Sequence, residues 1–241
     1  MSIFERILSR LEGQRTPTDR VAETTWMADE MVRCYEMDML CWYIVYGRTG
    51  AGKSTYAIMS LAQALGKLGY GVGWDNVDKR IVFTLEDLLR YFKMVELHPP
   101  NNRERDVGVI LDDAGVHFHA YKAFIDRELT MRMTSVLQLA RVYTSNIIIT
   151  TPNPNFILRM MRIIPDTYFI GVVRRTFTTA TAGVYRVKFH PPSTLTSKKI
   201  VVEEYSLKMP FKDRYDRKRA LYLKEQLMEY ERLLRERGGM E

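Results

Sequence analysis

An α/β fold with a mainly parallel central sheet flanked by helices is what this sequence predicts, and three segments carry the prediction. The apolar run Cys41–Tyr46 leads into Gly47-Arg48-Thr49-Gly50-Ala51-Gly52-Lys53-Ser54 and then into a stretch of helical periodicity. A second run, Val107–Leu111, ends in Asp112-Asp113, and a third, Asn146–Ile149, ends in Thr150-Thr151-Pro152-Asn153. Short, continuously apolar runs are buried on both faces, as in parallel strands covered by helices. Polar groups that follow such strands emerge at the carboxyl edge of the sheet, where ligands of α/β folds bind.

The glycine-rich segment completes the pattern GxxxxGK followed by Ser or Thr, in the strand–turn–helix setting that a P-loop requires. Its expected nucleotide contacts are Gly47, Arg48, Thr49, Gly50, Ala51, Gly52, Lys53, Ser54 and Thr55. Glycines let backbone N–H groups turn inward around phosphate oxygens, Lys53 reaches the β- and γ-phosphates, and the Ser54 hydroxyl ligates Mg²⁺. Residues Thr55 to Leu68 repeat Ile58, Leu61, Ala62, Leu65 and Leu68 at helical spacing, so a helix begins at the anion and adds its positive dipole end. ATP and Mg²⁺ are the cofactors expected. Asp112-Asp113 reads as a Walker B pair, with Asp112 holding the metal through water and Asp113 orienting or deprotonating the attacking water. Thr150 or Thr151 is the expected sensor of the γ-phosphate or lytic water, and Asn153 is a further candidate. A strand between the Walker B strand and the P-loop strand marks the additional-strand class of P-loop ATPases, and the order of segments here is compatible with it.

The remaining elements follow in order around a division into an N-terminal helical arm (1–38), a P-loop ATPase core with a β-hairpin extension (39–190), and a C-terminal linker with a charged helix (191–241). Ile3, Phe4, Ile7, Leu8 and Leu11 share a helical face; Val21, Thr25, Ala28, Val32 and Tyr35 have similar spacing and are expected to pack on the core. Arg80–Phe83 reads as a strand, and Thr84, with Asp87 three residues on, caps a helix to about Val95. A long helix is expected over about Ile125–Val142, a short one over Phe156–Ile163, and a strand over Thr167–Val173. Thr176–Phe189 alternates and reads as a hairpin around Ala182-Gly183. Arg214–Arg237 carries Ala220, Leu223, Leu227, Tyr230 and Leu234 as a short coiled-coil seam for docking on the core or a neighbour. His117 and His119 lack a partner at metal-ligand spacing.

Taken together, Ile110-Leu111-Asp112-Asp113-Ala114-Gly115-Val116 and Thr150-Thr151-Pro152-Asn153-Pro154-Asn155 resemble the P-loop ATPases of archaeal spindle-shaped viruses (fuselloviruses) and related plasmids. The tail Leu207-Lys208-Met209-Pro210-Phe211 ahead of a charged helix is similar as well. Such proteins are similar in turn to the bacterial replication initiator of the AAA+ class, and the resemblance implies ATP binding in a mobile-element setting. By the pattern of ring ATPases, Arg159 or Arg162 is the expected arginine finger, presented to a neighbour's γ-phosphate. Two features depart from the initiator pattern. Asp113 is one methylene shorter than the usual glutamate, and the hairpin stands where a helical lid would follow, which suits RecA-like or packaging-motor ATPases better.

The net charge of +7 makes nucleic acid the leading acidic partner. Arg159, Arg162, Arg174, Arg175, Arg186 and Lys188 concentrate that charge, and with no helix-turn-helix or zinc-finger signature the contacts expected are to DNA phosphates. A homo-oligomer without membrane insertion, cytoplasmic in the host interior and with Cys34 and Cys41 reduced, completes the expectation. Three functions compete: a Mg²⁺-dependent ATPase acting on viral or plasmid DNA, an ATP-gated assembly switch with little hydrolysis, and a small-molecule kinase.

Overall fold

A computed structural model describes residues 5, 9, 23–100, 105–114, 135–137, 139–157, 162, 164, 167–190, 194–209 and 211–238. Two compact units divide the chain, Met1–Lys208 and Met209–Glu241. The first contains helix α1 (Trp26–Glu36), strand β1 (Cys41–Tyr46), helices α2 (Lys53–Lys67) and α3 (Trp74–Asp78), and strand β2 (Ile81–Val82). It continues with helix α4 (Leu85–Leu97) and strands β3 (Val109–Leu111), β4 (Asn146–Thr151), β5 (Thr167–Arg174), β6 (Thr179–His190) and β7 (Thr194–Ser206). Helix α5 (Lys212–Gly238) belongs to the second unit.

One seven-stranded sheet runs in the order β2-β3-β4-β1-β5-β6-β7. The five strands from β2 to β5 are parallel, and β6 and β7 extend the sheet antiparallel. Every residue of β1, β3 and β4 is buried, as their unbroken apolar runs require. Pairing of Val45 with Thr150 and of Leu111 with Ile149 brings the ends of the three runs to one edge. Helix α1 is part of this core, burying Met27, Ala28, Met31, Cys34 and Tyr35. Thr25 caps its first turn and bonds the Ser60 hydroxyl of α2 at 2.6 Å. The capping box of Thr84 and Asp87 opens α4 as expected.

At the opposite, amino edge of the sheet a buried ion pair ties β2 to β3. Arg80 grips Asp106 with two hydrogen bonds of 2.8 and 2.7 Å, each side chain about 1% exposed. Tyr91 of α4 donates to the same carboxylate at 2.9 Å, and the Val107 amide at 2.8 Å. Every oxygen of Asp106 is thereby satisfied by a named donor, the condition for burying a carboxylate.

Several expectations change. Ala182 and Gly183 are no turn: they sit mid-strand in β6, paired with Val172 and Gly171 on one side and with Glu203 and Val202 on the other. The alternation over 176–189 belongs to a strand, and the chain reverses at 175–178. The stretch after 190, expected as linker, supplies β7 to the sheet. Cys34 and Cys41, expected as thiols, form a disulfide, because the turn after α1 returns the chain under its own last helical turn with a Cα separation of 6.3 Å. Disulfides persist in oxidising compartments and also in intracellular proteins of hyperthermophilic archaea. The segment after β4 begins as a single 3₁₀ turn, Pro154–Phe156, and Ile157 is extended. Most of the expected helices over 2–11 and 125–142, and both His117 and His119, lie outside the described residues. Among the described residues no helix is long and apolar enough to cross a membrane.

Candidate functional site

The carboxyl ends of β1, β3 and β4 assemble the site. Beyond Tyr46 the loop 47–52 turns on glycines in the left-handed region, Gly47 at φ 151° and Gly52 at φ 103°. A Cβ on Gly47 would collide with the Val172 carbonyl of β5, and one on Gly52 with the Leu207 side chain and the Tyr205 hydroxyl. The loop is therefore squeezed between strands, and glycine is required by contact as well as by conformation. Lys53 opens α2 and is largely buried; its Nζ donates to the Arg48 carbonyl at 3.1 Å, so the cation lies folded back across the loop. The α2 amino end, with no side-chain cap, leaves its first amides facing the same place.

Asp112 is the hub. Its Oδ1 accepts from Ser54 Oγ at 2.8 Å and from Thr150 Oγ1 at 2.6 Å, and the residue is fully buried. Thr150 Oγ1 in turn accepts from the Asp113 amide at 3.0 Å, and the Thr150 carbonyl from the Ala114 amide at 3.0 Å. Asp113 stands at φ 51°, a left-handed position that aspartate tolerates better than most residues. Strand β4 thus shapes the turn after β3. A hydroxyl and a carboxylate oxygen side by side are hard oxygen donors of the kind Mg²⁺ takes, and Ser54 and Asp112 fit that ion.

Thr150, expected as a phosphate sensor, has a fully buried hydroxyl that donates to Asp112 and accepts from the Asp113 amide. Thr151 is buried too and donates to the Asn153 carbonyl at 3.0 Å, bracing the turn after β4. Arg162 donates to Asn155 Oδ1 at 2.8 Å, and Arg159 lies outside the described residues. Three contacts escaped the sequence reading: Arg174 Nη1 reaches the Gly50 carbonyl at 3.5 Å, Tyr205 donates to the Gly52 carbonyl at 2.9 Å, and Leu207 packs at Gly52. The only signal for them was the basic pair Arg174-Arg175 and the tail beginning at Leu207.

Strand β7 also clamps the helices beside the loop. Glu203 accepts from the Trp26 amide at the start of α1 (2.9 Å) and from the Tyr56 hydroxyl on α2 (2.6 Å). Burial pushes the Glu203 carboxyl up, against those two hydrogen bonds, which favour its charge. A raised carboxyl pKa means that the folded state holds the proton more tightly, so this contribution is full below the ordinary value of 4.5 and is lost as pH rises through the folded value. Thermal melts should accordingly show the native protein losing stability relative to Glu203→Gln as pH rises above the ordinary carboxyl value of 4.5. Parallel curves would show that burial does not hold the proton. Glu30, Cys34 and Cys41 also converge in space, but the two sulfurs are bonded to each other.

No protein-family model matches the chain. Protein B-251 of Sulfolobus spindle-shape virus 1 is 27% identical over 142 residues, 58% of this chain and 54% of that protein. ORF286 of Acidianus two-tailed virus is 32% identical over 161 residues, 66% of this chain and 51% of that protein. The chain spans about half the length of these relatives, both of them archaeal-virus proteins. Among solved structures, the N-terminal domain of zonular occludens toxin from Neisseria meningitidis matches with a TM-score of 0.37 and 15% identity, covering 68% of this chain and 95% of that one. So loose a likeness carries no weight for activity.

Proposed function

We propose that this chain is a Mg²⁺-dependent ATPase of the additional-strand class, working as an oligomer on the DNA of a virus or mobile element. The observation that carries the reading is Asp112 Oδ1, which receives the P-loop serine and the β4 threonine together. The sheet order agrees with it, because β4 stands between the Walker B strand β3 and the P-loop strand β1. Loop amides from Gly47 to Thr55 and Lys53 bind the triphosphate, and Ser54 and Asp112 hold the metal, which when bound supplies neutralisation of phosphate charge. Asp113 takes or orients the proton of the attacking water, its backbone fixed by Thr150. Arg159 or Arg162 is the finger offered to a neighbouring subunit, and the excess of basic residues serves phosphate contacts to DNA.

Steady-state ATP hydrolysis with Mg²⁺, with and without single- and double-stranded DNA across a salt series, tests this. Turnover stimulated by DNA and weakened by salt supports it; turnover indifferent to DNA removes the nucleic-acid partner. Asp113→Asn should leave the Kd for ATP within about twofold while lowering kcat about 100-fold or more. Equal loss of binding would place Asp113 in nucleotide binding instead. The second reading, an ATP-gated assembly switch that hydrolyses little, draws on the short reach of Asp113; tight binding without turnover in the presence of DNA would favour it.

A further inference from the structure

The turn between β5 and β6 holds an aromatic ring out into solvent beside the phosphate loop. Phe177 is 92% exposed, the most open large apolar side chain among the described residues. An exposed ring on a slack loop would be unremarkable, but this turn is bonded throughout. The Arg175 and Thr176 amides both donate to the Thr179 carbonyl at 3.1 Å, and Thr176 Oγ1 accepts from the amides of Thr178 (3.1 Å) and Thr179 (3.0 Å). From β7, the Leu207 amide donates to the Thr178 carbonyl at 2.7 Å. Arg174 donates to the Thr176 and Phe177 carbonyls at 3.0 and 3.2 Å and lies over the Phe177 ring at 5.8 Å. The same guanidinium reaches the Gly50 carbonyl of the loop, so the ring and the loop are separated by one side chain. Holding a large apolar ring in water on a pre-organised support forgoes the stability its burial would give, and such a support lowers the entropy cost of receiving a flat partner.

We propose that Phe177 is the stacking platform for the base of the nucleotide whose phosphates occupy the 47–55 loop. Arg174 pins one side of the ring and links it to Gly50, which leaves the other side for a purine. Because every base has a π-face, the platform contributes affinity with modest discrimination among bases. The proposal rests on the reading of that loop as a triphosphate site.

Calorimetric titration of Mg²⁺-ATP and of Mg²⁺-tripolyphosphate, which lacks a base, into the native protein, Phe177→Ala and Phe177→Trp separates the two claims. In Phe177→Ala, ATP should bind about tenfold weaker or worse while tripolyphosphate stays within about twofold, and Phe177→Trp should restore ATP binding. Unchanged ATP affinity in Phe177→Ala overturns the platform. Equal weakening of both ligands overturns it as well, by showing that the turn merely shapes the loop. A native protein that binds tripolyphosphate as tightly as ATP loses the base site but keeps the phosphate site; one that binds neither loses both. Loss of oligothymidylate binding in Phe177→Ala with ATP affinity intact assigns the ring to nucleic acid and overturns the proposal.

Discussion

Lys53→Ala is expected to weaken Mg²⁺-ATP binding by about 100-fold or more and to abolish turnover, because a charge-assisted contact to phosphate oxygens is lost from a largely enclosed position. Lys53 donates to the Arg48 carbonyl, a contact within the loop itself. Its replacement should therefore leave the melting temperature without nucleotide little changed and erase the rise that ATP produces. A thermal-shift series across ATP concentrations reads both quantities at once. A retained ATP-dependent rise would remove Lys53 from the site.

The second large effect concerns the amino edge of the sheet. Asp106→Ala should cost about 3–5 kcal/mol of folding free energy, since it strands the Arg80 guanidinium in a dry interior together with the Tyr91 hydroxyl and the Val107 amide. Against a typical total of about 5–15 kcal/mol, that is enough to leave part of the chain unfolded at moderate temperature. Urea titration measures it. Replacing Arg80 and Asp106 together by apolar residues should recover a substantial part, because the main penalty is the unpaired charge and not the lost attraction. A loss below about 1 kcal/mol in Asp106→Ala would mean that water reaches the pair. The site at the carboxyl edge should be spared: whatever fraction folds should bind ATP normally.

How legible the chain was depended on whether a segment's local pattern and its tertiary fate agreed. Cys41–Tyr46, Val109–Leu111 and Asn146–Thr151 are buried on both faces, so their composition announced their place, and the glycines at 47, 50 and 52 announced their turn. Thr84 and Asp87 gave the start of α4 because a capping box is a purely local device. Thr150 was legible as a residue at the carboxyl edge, but its bond to Asp112 was not, since sequence cannot distinguish a hydroxyl facing a ligand from one facing a neighbouring aspartate. Gly183 misled because its small size serves a strand flanked by two others. The contacts of Tyr205 and Leu207 with Gly52 join residues some 150 positions apart, and no local pattern encodes them.

The position of β1 in the sheet has a consequence for synthesis. Both of its partners come late: Cys41 pairs with Asn146, and Trp42 with Thr167. As the chain leaves the ribosome, the six apolar residues of β1 emerge with two open edges and wait for more than a hundred residues before either is covered. Until then the nascent chain exposes a sticky strand of the kind that pairs with other chains. Ser54 and Asp112 likewise lack the threonine that sets their geometry until β4 arrives. The loop after β1 is made about a hundred residues before the strand that completes its surroundings.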